Sequence, residues 1–213
     1  MIIAIDGPAA SGKGTLARRL AQHYGLGYLD SGALYRAVAR DMIDARADPN
    51  DPEAAEQAAR DLDPGTFQDP ELRRPDVSEA AAIVAKFPVV RAVLLQYQRQ
   101  FAQRPSGAVL DGRDIGTVVF PDADAKIFVD ASDRERARRR YAELTDSGND
   151  MGYDAVLADI RKRDARDRER QAAPLKPAAD AHLLDTTNLD IEAAFKAAVE
   201  LIDAAMGRAG HAS

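Results

Sequence analysis

The sequence predicts an α/β protein in which helices flank a parallel sheet. Short apolar runs rich in β-branched residues alternate with longer segments whose apolar residues recur at helical spacing. Several of the short runs end in an aspartate, as at Asp30, Asp111 and Asp130. Strands that alternate with helices favour a parallel sheet, and 213 residues are enough for one substantial core.

The first half of the chain combines two predicted strands with four helices. The first strand ends at Gly7 and Pro8, which favour a turn. The second helix is the clearest, because its apolar residues recur at 34, 35, 38, 39, 42 and 43. In order, we predict a strand over 1–5, a helix over 13–24, a strand over 28–30, and helices over 33–45, 78–86 and 88–104.

Residues 48–76 differ from their surroundings and predict an irregular or separately folded insert. Five of the eleven prolines fall here, and Pro52 after Asp51 marks a helix start. Between 41 and 79 there are 12 acidic and 4 basic residues, while the whole chain has a formal net charge of −6. The excess of acid therefore belongs to this region, and the rest of the chain is slightly positive.

The second half of the chain returns to alternating elements. Ser132 and Glu135 match a capping box at the start of a charged helix, and residues 147–150 are typical of a loop. Gly207 is expected to end the last helix. The predicted elements are strands over 108–111, 127–130 and 182–185 and helices over 132–143, 153–171 and 191–206.

Composition excludes several classes of function. The absence of cysteine excludes disulfides, thiolate metal sites and a catalytic thiol. No apolar run approaches the roughly 18 residues of a membrane span, and the N-terminus lacks a basic signal region, so we expect a cytoplasmic protein without membrane contact. The net negative charge disfavours a general nucleic-acid binder. The 23 arginines against 6 lysines suit bidentate phosphate recognition, although a biased genome composition produces the same skew.

The stretch from Gly7 to Lys13 fits G-x-x-x-x-G-K between a strand and a helix, the context that a phosphate-binding loop requires. Gly12 and Gly14 let the backbone approach a ligand closely, and Lys13 reaches the β- and γ-phosphates. The alternative is a glycine-rich turn without a ligand. Thr15 stands one position later than the magnesium-binding hydroxyl of the strict motif. The residues assigned to this phosphate-binding loop are Gly7, Pro8, Ala9, Ala10, Ser11, Gly12, Lys13, Gly14 and Thr15.

Asp111 ends the apolar run over 108–110, where a carboxylate can hold Mg²⁺ directly or through water beside the phosphates. Aspartates at strand ends are also common in turns, so the assignment depends on the phosphate loop nearby. We therefore expect Mg²⁺ as a cofactor beside the bound phosphates, with Asp111 and Thr15 as its candidate ligands.

Four ordered motifs resemble the bacterial cytidylate kinase family of nucleoside monophosphate kinases over nearly the whole chain. They are residues 7–15, 29–36, 111–121 and 163–170, the last followed by Pro174 and Leu175. The resemblance implies a P-loop NTPase-type sheet with an inserted monophosphate-binding lobe and a small lid, in a protein expected to be a monomer. In this scheme the core comprises residues 1–30, 107–140 and 166–213. The monophosphate-binding lobe is 31–106, and the lid is 141–165.

The same resemblance implies the reaction and the residues that carry it. The ATP γ-phosphoryl group would pass to CMP, and to dCMP, giving CDP or dCDP and ADP. Lys13, Arg113 and Arg170 would be catalytic, and Ser31, Arg36, Arg113 and Arg170 would gather the CMP phosphate. Asp114 and Arg91 would read the base, and Arg163 and Asp167 would contact the ribose.

Base selection follows from hydrogen-bond chemistry. A carboxylate at Asp114 accepts from the cytosine amine, whereas uracil would place O4 against it. The alternatives are a surface pair between Arg113 and Asp114 and a solvated helix face at Arg91. Ala82 departs from the family, which usually carries a serine there, so we expect CMP to be preferred over UMP with weaker discrimination.

Other functions remain as alternatives. A related kinase could use UMP, AMP or shikimate, and a P-loop protein could be a non-catalytic nucleotide-binding regulator or a nucleic-acid binder. Residues 133–170 hold ten arginines and one lysine but also ten acidic residues. Most of these charges therefore predict paired, solvated helix faces, with a few arginines reaching over ATP from a lid around 147–150.

Overall fold

The computed structural model describes residues 1–146, 148, 150–170 and 172–209. These residues form two compact units. The first, called here the core unit, comprises Met1–Tyr28 and Arg104–Ser213, and the second, the inserted unit, is Leu29–Gln103. The predicted domain scheme, with borders at 31 and 106, stays a prediction.

Every predicted strand and helix is present in the described chain. In order the elements are β1 (Ile2–Asp6), α1 (Lys13–Tyr24), β2 (Gly27–Asp30), α2 (Ser31–Asp44), α3 (Pro52–Arg60), α4 (Pro75–Val84), α5 (Pro88–Ala102), β3 (Ala108–Gly112), β4 (Ala125–Asp130), α6 (Asp133–Asp146), α7 (Tyr153–Glu169), β5 (His182–Asp185) and α8 (Ile191–Ala209). A single π-helical turn over Ile115–Val119 was not predicted.

The predicted α/β class is confirmed by a five-stranded sheet in the order β2-β3-β1-β4-β5. β1 pairs in parallel with β3 and β4, and β4 pairs in parallel with β5. β1 is thus central, with Ile3 and Ile5 fully buried in one cluster with Leu20 of α1 and Ile202 of α8. Because parallel strands are covered by helices, their sequences are continuous apolar runs. The aspartates that end these runs collect at the carboxyl edge of the sheet, where ligands bind in such folds.

Several prolines and aspartates of the insert mark the starts of helices, where an aspartate caps the helix and a proline follows it. Asp51 caps α3, and its carboxylate accepts hydrogen bonds from the backbone of Glu53 and Ala54. The same Asp-Pro arrangement opens two short 3-10 turns, Pro64–Thr66 and Pro70–Arg73, where Asp63 and Asp69 are the caps. Proline suits the first position of a helix because no hydrogen bond is lost there. The region is therefore helical rather than irregular.

The inserted unit has its own apolar contacts. Leu34 and Met42 of α2 and Leu94 of α5 are fully buried. Leu72 packs with Ala33 and Ala37 of α2 in a smaller cluster. Burial of these side chains on helical faces accounts for the stability of the unit.

One expectation is wrong, and one falls partly outside the described residues. Gly207 does not end α8, which continues to Ala209, because one glycine in an exposed last turn costs only about 1 kcal/mol. The predicted lid over 141–165 begins inside α6 and ends inside α7, and Ser147 and Asn149 at its centre lie outside the described residues.

No helix among the described residues is both long and apolar enough to cross a membrane.

Candidate active site

The loop between β1 and α1 has the backbone geometry of an anion-binding nest. Gly12 caps α1 in the left-handed conformation with φ 86°. A Cβ on Gly7 would collide with the carbonyl oxygen of Val129 in β4, so only glycine fits. Lys13 is the first residue of α1, and its Nζ donates to the carbonyl oxygen of Pro8 at 3.1 Å. The helix N-terminus and the ammonium group therefore direct positive charge at the loop.

Asp111 lies beside this loop. It is buried at the end of β3, and the Tyr28 hydroxyl donates to its Oδ1 at 3.4 Å. A Cβ on Gly14 would approach Asp111 Oδ2 to 3.1 Å, tighter than ordinary contact. Gly14 thus leaves room for the carboxylate, which explains why serine or threonine does not follow Lys13. Thr15 is exposed.

The surroundings of Asp111 fit magnesium better than a metal held entirely by protein. No group of three or more His, Cys, Asp or Glu side chains within the described ranges could hold a metal ion. Mg²⁺ in phosphoryl-transfer sites is held by one or two carboxylates, waters and the substrate phosphates. A single buried carboxylate next to a phosphate loop agrees with that donor set.

An arginine of α6 holds the loop from outside. Arg139 donates through Nη1 to Thr186 Oγ1 at 3.1 Å, and through Nη2 to the Thr186 carbonyl at 2.6 Å. The Thr186 hydroxyl in turn contacts the carbonyl oxygen of Ser11 at 3.1 Å. Glu135 accepts from Arg138 and Arg139, and these hydrogen bonds lower the pKa of its carboxyl to about 2. Arg139 is therefore fixed in place against the loop.

A second arginine of α6, Arg136, is buried and connects this helix to the phosphate loop, to the segment after β4 and to α7. Its Nε donates to the Ala131 carbonyl at 2.8 Å and its Nη1 to the Ala9 carbonyl of the loop at 3.2 Å. Its Nη1 also lies 3.0 Å from Oδ1 of Asp164 in α7. The side chains of Arg136 and Asp164 are only 3% and 8% exposed. The predicted pairing of these charges is confirmed, but this pair is not solvated.

A cavity of about 570 Å³ opens beside the loop within the core unit. Sites for small ligands typically measure about 300–1,000 Å³, so the cavity is large enough for a nucleoside. Its lining includes Ala10 and Gly12 of the loop, Glu135 and Arg139 of α6, and Leu189 and Ile191 at the start of α8.

The motif after β3 contacts α7. Arg113 Nε lies 2.9 Å from Asp167 Oδ2, so Arg113 forms an ion pair with Asp167. Burial raises the pKa of the Asp167 carboxyl, but the nearby Arg113, Arg170 and Arg166 outweigh burial and leave the pKa lowered. Arg163, also on α7, pairs with Asp159 at 2.8 Å.

The remaining predicted residues belong to the inserted unit. Ser31 is the buried first residue of α2, and Asp30 caps this helix by accepting from the backbone of Ala33 at 3.0 Å. Arg36 Nη2 donates to the other oxygen of Asp30 at 2.8 Å. Arg91 lies on α5 and is half-buried. The structure thus brings Lys13, Asp111, Arg113 and Asp167 into one unit, while Ser31, Arg36 and Arg91 belong to the other.

Four residues that line or support the site were missed from the sequence: Asp6, Arg136, Arg139 and Thr186. Asp6 follows the first apolar run as Asp111 follows a later one, so the same pattern could have found it. The two arginines lie in a helix dense in both charges, where periodicity does not reveal which side chain is buried. Thr186 follows β5 directly, but a lone threonine carries no signal.

Comparison with known proteins agrees with the motifs. A family model described as Cytidylate kinase matches residues 3–204. The cytidylate kinase of Methylocella silvestris is 62% identical over 99% of this chain and 99% of that protein. The cytidylate kinase of Nitrobacter winogradskyi is 58% identical over 100% of both.

One solved structure supports the fold alone. An uncharacterized protein from Eubacterium ventriosum has a TM-score of 0.56 at 16% identity, covering 95% of this chain and 98% of that chain.

Proposed function

The chain belongs to the cytidylate kinase family, and on this premise we propose that it transfers the γ-phosphoryl group of ATP to CMP, giving CDP and ADP. We propose dCMP as a second acceptor. The family assignment rests on a match over nearly the whole chain rather than on one motif. A monomer in the cytoplasm, without nucleic-acid partners, stays a prediction from the sequence.

The observation that carries the proposal is the position of Lys13 and Asp111 around one glycine-rich loop. Lys13 begins α1, and Asp111 lies beside Gly14 as the penultimate residue of β3, the strand that pairs in parallel with β1. A cation and a carboxylate at the carboxyl edge of a parallel sheet suit a nucleoside triphosphate and its metal. A glycine-rich turn without a ligand would need neither the buried lysine nor the buried aspartate.

ATP would be bound by the loop and the adjoining cavity. The backbone N–H groups between Ala9 and Thr15 would hold the β- and γ-phosphates, with Lys13 neutralising their charge. The cavity beside Arg139 would take the nucleoside. Arg139 is held by Glu135 and Thr186, so its guanidinium is preorganised for a ligand there.

We assign Asp111 to Mg²⁺, directly or through water, with Thr15 as a second candidate ligand. When bound, the ion would neutralise charge on the phosphate oxygens. The Tyr28 hydroxyl would orient the Asp111 carboxylate toward the loop.

Arginines would carry the acceptor side of the reaction. Arg113 and Arg170 would neutralise charge on the transferring group, and Ser31 and Arg36 would gather the CMP phosphate. The acceptor is already an anionic phosphate oxygen, so no general base has to remove a proton. The ion pair with Asp167 supports this role of Arg113, because it holds the guanidinium in one orientation.

Base and ribose recognition are assigned to the remaining residues. Asp114 would accept from the cytosine amine, and Arg91 would donate to the ring acceptors. Arg163 and Asp167 would contact the ribose. Ala82 offers no hydroxyl to the amine, so we expect preference for CMP over UMP to rest on Asp114.

An assay of ADP release with ATP and Mg²⁺ across CMP, dCMP, UMP, AMP and shikimate tests the proposal. We expect the highest kcat/KM with CMP, followed by dCMP. Absence of CMP-dependent ADP release would overturn the assignment, and faster turnover of AMP or shikimate would favour the alternative kinases.

A matched pair of variants controls the assay. Lys13→Met should lower kcat by about 10²–10³, as removal of one preorganised group at a developing charge does in other enzymes. Lys196→Met removes an exposed lysine of α8 and should leave kcat unchanged.

A further inference from the structure

The buried carboxylate of Asp6 is a feature that the proposed function does not use. Asp6 is the last residue of β1, directly before Gly7 of the phosphate loop, and is 5% exposed. Its Oδ1 accepts from the backbone N–H of Ile115 at 2.8 Å, and its Oδ2 accepts from that of Gly116 at 2.7 Å. One side chain therefore ties the start of the phosphate loop to the segment after Asp114.

The contacts of Asp6 fix the backbone on both sides of Arg113 and Asp114. In the sheet, Asp6 is the register partner of Gly112, the residue before Arg113. Through its side chain it binds Ile115, the residue after Asp114. The two residues that we assign to the CMP phosphate and base are thus held between two attachments to the same aspartate.

The segment after Asp114 depends on this carboxylate. Ile115–Val119 forms a π-helical turn, a rare geometry that occurs frequently at functional sites. Its first N–H groups have no partner within the turn, and Asp6 accepts from two of them. The fit is close, because a Cβ on Gly116 would lie 3.2 Å from Lys126 Cδ and 3.4 Å from Asp6 Oδ2.

Burying an ionised carboxylate at this position costs free energy. Burial raises the pKa of Asp6 to about 6, although the two backbone hydrogen bonds and Lys13 lower it, and the charge of Asp114 adds to the rise. Ionised groups held in costly environments cluster at functional sites. This observation supports a functional role, and the hydrogen-bond geometry identifies which residues are affected.

We propose that Asp6 is a positioning residue for acceptor selection, which holds Asp114 in the orientation that accepts from the cytosine amine. The proposal rests on the proposed function, because it assumes that Asp114 reads the base. Asp6 does not touch the substrate in this scheme and acts only through the backbone after Asp114.

The variant Asp6→Asn tests the role directly. An amide oxygen can accept one of the two N–H groups, but the amide NH₂ would then face the other N–H, so the turn must shift. We expect the CMP:UMP ratio of kcat/KM to fall about tenfold, a change within the range of one lost hydrogen bond. The KM for ATP should stay within about twofold, since the loop glycines and Lys13 are intact.

A double-mutant cycle separates action through Asp114 from a general effect. In an Asp114→Asn background, Asp6→Asn should change the CMP:UMP ratio by less than about twofold, because residues in one chain of contacts are not additive. If the two substitutions instead lowered the CMP:UMP ratio independently, so that their fold-changes multiplied in the double variant, the proposal would be overturned. Asp203→Asn, which weakens a hydrogen bond to Tyr24 between α8 and α1, is the control for destabilisation and should leave the ratio unchanged.

The remaining outcomes each decide the question. A lower melting temperature of Asp6→Asn with an unchanged ratio would make Asp6 a structural residue only and overturn the proposal. If Asp6→Asn does not fold, Gly116→Ala disturbs the same contact from the other side, and the same loss of ratio is expected. Failure of the proposed function itself is separately visible, because the unmodified protein would then show no CMP turnover.

Discussion

Arg113 Nε lies 2.9 Å from Oδ2 of Asp167, so an ion pair joins the motif after β3 to helix α7. The sequence motifs assigned Arg113 to the phosphate of CMP and Asp167 to its ribose, as separate ligands. The structure shows that they also hold each other. Because both side chains are largely buried, with exposures of 25% and 11%, each restricts the orientation of the other.

Asp167→Asn should therefore weaken CMP binding more than removal of a ribose contact alone. Loss of a charged hydrogen bond is worth about 1.5–3 kcal/mol, so we expect KM for CMP to rise roughly 10- to 100-fold while KM for ATP stays constant. Steady-state kinetics with each substrate varied in turn measure this. Glu56→Gln, in the exposed pair with Arg60 on α3, is the control, and an equal rise in both KM values would contradict the assignment.

Gly14→Ala tests the space reserved for Asp111. The added Cβ would lie 3.1 Å from Asp111 Oδ2 and should displace the carboxylate. Overpacking of this kind typically costs about 1–3 kcal/mol, so we expect kcat to fall about 5- to 150-fold and the Mg²⁺ concentration for half-maximal rate to rise. Titration of the rate with MgCl₂ is the measurement.

The control for that experiment is Gly152→Ala at the start of α7. A Cβ there meets nothing within 4 Å, and the backbone φ of −68° suits alanine. Normal magnesium dependence in both variants would remove Asp111 from the metal site.

Arg136→Met should destabilise the protein strongly. The change leaves Asp164 buried without its partner and removes the hydrogen bond to the Ala9 carbonyl. Breaking a buried pair from one side costs about 3–5 kcal/mol, measurable as a fall in the free energy of unfolding in urea. The double variant Arg136→Met, Asp164→Leu should recover part of this loss, because no uncompensated charge remains. A double variant less stable than the single one would contradict the explanation.

Asp6 should make stability depend on pH. Its pKa is raised from 3.8 to about 6, so the folded state binds a proton that the unfolded state does not. The resulting stabilisation, about 2–3 kcal/mol in full, is present below about pH 4 and is lost as the pH rises through 6. Asp6→Asn cannot titrate. Its free energy of unfolding relative to the unmodified protein should therefore increase between pH 4 and 7, and a constant difference would refute the assignment.

Most of the fold could be predicted because each element has a local signal. The apolar runs before Asp111 and Asp130 are continuous, as buried parallel strands require. The helix predicted over 13–24 ends where a glycine follows, and Gly25 caps α1 in a left-handed conformation. The phosphate loop was equally clear, because its glycines and lysine form a motif of fixed spacing within seven consecutive residues.

The supporting contacts could not be predicted because they join residues far apart in the chain. Arg136 and Asp164 lie in helices rich in both charges, where many pairings are possible and only the three-dimensional packing selects one. The π-helical turn over Ile115–Val119 depends on Asp6, more than a hundred residues earlier, so no local propensity indicates it. Local patterns thus identified the elements, while tertiary contacts decided how the site is held.

Two alanines of the phosphate loop, like its glycines, occupy positions where the structure limits the size of the side chain. Ala9 and Ala10 pack against a cluster formed by Ala137 of α6 and Val156 and Ile160 of α7, and Ala10 has a left-handed φ of 58°. The motif formally leaves these two positions open to any residue. In a library that randomises both positions, selection for growth that depends on this kinase should return only small residues, because a larger side chain would push α6 and α7 away from the loop. The packing of α6 and α7 against the loop therefore limits which sequences can form this nucleotide site.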